Sequence, residues 1–259
     1  MRLDRALLAD LRLALGSWPI RFYLSLQLAA GVVFIARRGT DTATTVLLIW
    51  SGLALLAFLA WWAGRHHAAH PGPDPVPQAG ARSVFALVGA AGATVLGFGV
   101  DVRFGLVLLA LGIGGWAWAA LRSGDLHGVG ARLTRDPRPF LPLLLLIALP
   151  KLLALGPIYV VGAALALPSG IGQQLLYLVG LFGPLEAVTR RPALAAVVAA
   201  LVFALVHVPL LLPANHDDLA AAVANAVLFQ SGVGLVAVLA YRRHRAVVPI
   251  GVAHALAIG

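Results

Sequence analysis

Nine stretches of apolar residues, most of them close to helix-spanning length, recur along this chain, and no other feature limits its fold as sharply. They fall at 18–36, 42–63, 83–100, 104–121, 140–166, 170–185, 193–213, 218–240 and 247–259. A hydrocarbon core about 30 Å thick is crossed by about 20 helical residues. The last run is the shortest and reaches only part-way at about 1.5 Å per residue. The expected fold is therefore all-α: a polytopic transmembrane helical bundle of eight or nine spans.

Composition closes off the other classes. Hydrophobic residues make up 61% of the 259, charged residues 11%, and the mean hydropathy is +0.93. A water-soluble domain carries about 25% charged residues, and disorder requires far fewer apolar ones. The absence of cysteine removes disulfides, thiolate metal sites and thiol nucleophiles. The net charge of +9 reads as basic loops beside a membrane, with no nucleic acid as partner. The partner implied at this stage is the lipid bilayer.

Four segments follow from the pattern. Residues 1–64 hold an interfacial helix, with Leu3, Leu7 and Leu11 at helical spacing among Arg2, Arg5 and Arg12, and then two spans. Asp4 and Asp10 interrupt the apolar pattern there, which argues against a signal peptide. Residues 65–82 form a linker whose Pro71, Pro73, Pro75 and Pro77 favour an extended chain. Its His66, His67 and His70 have no carboxylate or thiolate at ligand spacing and read as a solvated turn. Residues 83–139 carry a helix pair and a basic loop. Gly89, Gly92, Gly97, Gly99, Gly112, Gly114 and Gly115 crowd that pair, as close helix packing in lipid favours. Residues 140–259 form the remaining membrane core. Alternate loops hold fourteen arginines against three in the opposite set, which places the N-terminus in the cytoplasm of a multi-pass protein, expected in a bacterial inner membrane.

Polar groups inside apolar spans carry the functional signal, because hydrocarbon makes them costly. Lys151 lies between Pro150 and Pro157. It either lines a wet cavity at a broken helix or satisfies a freed carbonyl at the proline kink. Gln173 and Gln174 open the sixth run, Gln230 lies in the eighth, and His207 and His254 lie in the seventh and ninth. With the sixth run entering from outside, the glutamines belong near its outer end. His207 is about 22 Å along its helix and His254 about 10 Å along its own, at the helical rise. The four residues are expected to share one polar cavity in the middle to outer half of the bilayer.

Three blocks in the last ninety residues are Gln173-Gln174-Leu-Leu-Tyr177-Leu178, Phe203-Ala-Leu-Val-His207, and Phe229-Gln-Ser-Gly232 continuing to Pro249-Ile-Gly-Val-Ala-His254. In order and spacing they resemble the CPBP family of intramembrane metalloproteases, which includes CAAX prenyl endopeptidases and bacteriocin-processing or immunity proteins. The resemblance implies three motifs: Glu-Glu-x-x-x-Arg, Phe-x-x-x-His, and a His followed four residues later by Asn. It assigns the catalytic positions to Gln173, Gln174, His207 and His254, and a metal, zinc if any, to His207 and His254.

The departures bear on chemistry. Both glutamates are glutamines, the motif Arg is Leu178 and the Asn position is Ile258. A glutamine amide cannot take a proton from water, a step typically worth 10²–10⁴-fold. Two imidazoles also leave zinc one protein ligand short of the usual catalytic set. The Glu186-x-x-x-Arg190 sequence, at the cytoplasmic end of the sixth run, reads as an interfacial i,i+4 pair. Asn215-His216-Asp217-Asp218 reads as an Asx-rich cap for the eighth helix, and Asp217 or Asp218 there is a better candidate substitute base than Glu186.

The expected function is that of a proteolytically inactive relative which holds no metal, or holds one weakly. It would bind a membrane-embedded peptide or partner, prenylated or secreted peptides included. The alternatives are an active metalloendopeptidase with a displaced base, and a membrane scaffold or small-molecule carrier with Lys151 on its path.

Overall fold

The computed structural model describes residues 16–64, 76–125 and 140–258, and every regular element among them is helical. Nine helices result: α1 Trp18–Arg38, α2 Ala43–Gly64, α3 Ala79–Phe98, α4 Val102–Arg122, α5 Leu141–Leu155, α6 Pro157–Thr189, α7 Pro192–Leu211, α8 Leu219–His244 and α9 Val248–Ile258. Among the described residues, α1, α3, α4, α6, α7 and α8 are long and apolar enough to cross a membrane. Helix α2, 22 residues with no charge, is of the same length. Helices α5 and α9, 15 and 11 residues, reach only part-way at about 1.5 Å per residue. The interfacial helix expected before residue 16, residues 65–75 of the linker and the basic loop 126–139 lie outside the described residues.

One boundary differs from expectation. The fifth and sixth runs break at Gly156, not near Pro168. Gly156 adopts φ 63°, a left-handed backbone that glycine tolerates, and Pro157 starts the next helix at a position where its missing N–H costs nothing. Pro168 instead sits inside α6. Helix α6 thus runs 33 residues, and the glutamines lie at its middle, not at an outer end.

Close packing of small residues builds the bundle. A methyl group added to Gly92 would run into the backbone of Gly105 at 2.8 Å and of Leu108 at 2.9 Å, so α3 and α4 meet backbone to backbone. The main core joins Tyr177, Leu178 and Phe182 of α6, Ala195, Ala199 and Phe203 of α7, Val238 and Tyr241 of α8, and Ile250 of α9.

Two buried ion pairs tie helix ends together, and both correct the sequence reading. Glu186 does not pair with Arg190. Arg190 ends α6 with φ 52° and is exposed, whereas Glu186, 5% exposed, accepts from Arg245 at 2.7 Å and from Arg242 at 3.1 Å. Arg82, expected in a solvated linker, lies in the first turn of α3 at 0% exposure. It pairs with Asp125, buried in the turn that follows α4, and stacks over Trp116.

Candidate functional site

Three helices bring three of the four sequence-selected residues, Gln174, His207 and His254, together. The approach of α9 to α6 depends on two glycines. A methyl group on Gly170 would meet the carbonyl oxygen of Gly251 at 2.7 Å, and one on Gly251 would meet the Cα of Ile171 at 2.6 Å. One turn further on, that contact sets Gln174 opposite His254. Gln174 Nε2 donates to His254 Nδ1 at 3.1 Å, and Gln174 is 1% exposed.

Helix α7 supplies the second imidazole. His207 Nδ1 donates to the carbonyl of Phe203, one turn back, at 2.6 Å. The Phe203 ring stands 4.4 Å from the His207 ring and 5.8 Å, edge-on, from the His254 ring, so both imidazoles flank one phenyl group. Tyr177 packs on the same ring at 4.8 Å. It belongs to the π-helical stretch Leu175–Phe182, a widened geometry frequent at functional positions. Gln173 turns its amide to Ser169 Oγ at 3.0 Å and makes no contact of this kind with either histidine.

The hydrogen bonds fix ring tautomers. His207 donates from Nδ1, which leaves a lone pair on Nε2. His254 accepts at Nδ1, which puts its proton on Nε2. One ring therefore offers an acceptor and the other a donor. Gln173 Oε1, Gln174 Oε1 and the Tyr177 hydroxyl are buried without protein partners. Three orphaned polar atoms within two turns of α6 each forgo about 1–3 kcal/mol, and they suit neutral hydrogen-bonding guests such as water or peptide groups.

A zinc ion is a poor fit to these residues. The proton on His254 Nε2 occupies the lone pair that a metal needs, and the remaining oxygens are neutral amides. Among the described residues no three His, Cys, Asp or Glu side chains gather, where a catalytic zinc site uses three protein ligands. Asp218 caps α8 by accepting from the Ala221 N–H at 3.1 Å and faces Arg37 at 3.8 Å, while Asp217 is exposed in the preceding turn. Asn215 is buried and donates to the Leu211 carbonyl. The Asx-rich cap is thus what the structure contains.

Lys151 has a partner of a different kind from the kink carbonyl considered above. Its ammonium donates to the Ala257 carbonyl, and Tyr159 donates to that of Leu256 at 2.9 Å. Two side chains from α5 and α6 therefore cap the C-terminal end of α9, the helix that carries His254.

The sequence reading missed a second polar cluster. Gln27 Nε2 donates to Tyr23 Oη at 2.8 Å and to the Val227 carbonyl at 2.6 Å, beside Ser231 Oγ. This cluster holds α1 against the π-helical turn Ala226–Gln230 of α8. A glutamine inside the first apolar run was the available signal. Gln230 ends that turn, next to Ser231, and is not part of the Gln174–His254 group.

The family model described as type II CAAX prenyl endopeptidase Rce1-like matches residues 155–257, from the last residue of α5 through nearly all of α9. This agrees with the resemblance read from the three motif blocks. No curated protein and no solved structure matches the chain.

Proposed function

We propose, from the Rce1-like character of residues 155–257, that this integral membrane protein is a proteolytically inactive relative of type II CAAX prenyl endopeptidases. It uses the region between α6, α7 and α9 to bind a membrane-embedded peptide. One observation carries the reading: at the position of a family glutamate, Gln174 donates an amide N–H to His254 Nδ1. A carboxylate there would accept from that nitrogen. The amide leaves the site without the carboxylate that would activate water and fixes a proton where a metal would bind. Hydrogen-bond donors and acceptors remain, beside the phenyl ring of Phe203, and these suit the peptide groups of a locally unwound segment.

The carrier reading has less support, because Lys151 is engaged with the Ala257 carbonyl. The test is a peptide assay in proteoliposomes. A photoreactive group placed at Phe203 should crosslink membrane-inserted peptides without cleaving them, and excess unlabelled peptide should compete. Metal-dependent cleavage lost in His207→Ala would overturn the proposal.

A further inference from the structure

A second groove lies between α2, which is outside the matched segment, and the π-helical turn of α8, which is inside it. Thr45, Leu48, Ile49, Gly52 and Leu53 fall on one stripe of α2 at helical spacing. Together with Phe229 they line a groove of about 290 Å³. The groove has a structural origin. A methyl group on Gly52 would meet nothing within 4 Å, which leaves a notch in the helix surface. Leu53 packs onto Gly232 of α8 and closes the floor, and the π-helical turn carries Phe229, 44% exposed, as the far wall.

Chemistry changes along the groove. Its deep part is wholly apolar. Its mouth is at Thr45, less than one turn from the Thr40–Thr42 turn that joins α1 to α2. Thr45 is exposed and its hydroxyl has no protein partner among the described residues. Arg37 and Arg38 close α1 at the same end. Arg37 is 58% exposed and faces Asp218 at 3.8 Å, and Arg38 has no acidic partner among the described residues.

We infer that this groove holds one phospholipid with an anionic headgroup. An acyl chain lies along Leu48, Ile49, Gly52 and Phe229, the ester region sits at Thr45, and the phosphate lies against Arg37 and Arg38. The order apolar chain, hydrogen-bonding neck, paired cations is the order of groups in such a lipid; Arg38 gains a charge partner, and Arg37, held only by the Asp218 contact at 3.8 Å, gains a second.

The experiment is native mass spectrometry of the full chain, reconstituted with phosphatidylglycerol or with phosphatidylcholine and then stripped with detergent. Phosphatidylglycerol should stay bound and raise the unfolding temperature, whereas phosphatidylcholine should be lost. The double variant Arg37→Gln/Arg38→Gln should bind phosphatidylglycerol about thirtyfold more weakly, as two interfacial charges at about 1 kcal/mol each imply. Gly52→Phe, which fills the notch, should abolish retention. Leu165→Ala, on another exposed face, should change nothing. Equal retention of both lipids, or retention unchanged in the arginine double variant, would mean an ordinary boundary lipid and overturn the inference. Loss in the arginine variant with full retention in Gly52→Phe would overturn the groove as the chain site.

Discussion

Gln174 and His254, eighty positions apart in sequence, meet through a single hydrogen bond of 3.1 Å one turn beyond the Gly170–Gly251 crossing of α6 and α9. The direction of that bond decides the chemistry of the site. An amide donor makes His254 an Nε2–H donor, and a carboxylate acceptor would make it an Nε2 lone-pair donor.

Gln174→Glu, alone or with Gln173→Glu, should therefore switch the His254 tautomer and create a cation site before it creates any activity. Zinc content of purified protein should rise in the variant, and His254→Ala in the same background should remove the gain. Unchanged metal content in the double glutamate variant would show that the orientation of His254 is not set by residue 174.

The crossing itself is testable through its glycines. Gly170→Ala and Gly251→Ala each place a methyl group within 3 Å of opposing backbone, an overpacking worth about 1–3 kcal/mol. Gly172→Ala, whose methyl would meet nothing within 4 Å, should be neutral or stabilise slightly, since alanine is the better helix former by about 1 kcal/mol. Thermal unfolding in detergent separates the two classes. Equal effects at Gly170 and Gly172 would sink the close-approach account.

Much of this arrangement was legible because membrane helices declare themselves by length and apolarity. The residues that converge, Gln174, His207 and His254, were visible as polar groups within such runs. What the sequence hid was local. The gap between the runs 140–166 and 170–185 reads as the boundary, yet the break is at Gly156, where a left-handed φ and a following proline coincide. That shift moves the glutamines from a helix end to its middle. Spacing suggested Glu186 with Arg190, but the helix ends at Arg190 and the arginines that reach Glu186 come from more than fifty residues away. Arg82 looked like a loop charge because its partner, Asp125, follows a different helix. Pairings between helix ends depend on three-dimensional neighbours, which periodicity does not encode.

Lys151 and Tyr159 cap the carbonyls of Ala257 and Leu256. Losing one such donor costs about 1 kcal/mol, and more for a charged one. Lys151→Met and Tyr159→Phe should each speed hydrogen exchange at the amides of α9, and the double variant should do so most. Lys151→Arg should retain most of the protection. Exchange that is unchanged in the double variant would mean that α9 is held by the Gly170–Gly251 contact alone.

The Glu186 pairings make the sharpest contrast between sequence spacing and structure. Glu186 and the Arg245 side chain are 5% and 3% exposed, so removing one charge leaves the other buried without compensation, at about 3–5 kcal/mol. Arg190, exposed at the helix end, should contribute within about 0.5 kcal/mol. Glu186→Gln should thus lower the unfolding temperature far more than Arg190→Ala. Arg242, whose side chain is 50% exposed, should fall between them when replaced by alanine, because solvent screens its share. The double variant Glu186→Leu/Arg245→Met should recover much of the loss, since an apolar pair of similar volume avoids the buried charge altogether. If Arg190→Ala proved as damaging as Glu186→Gln, the i,i+4 pair would have to form in the membrane and the observed bridge to α8 would not be the one that holds the helix ends together.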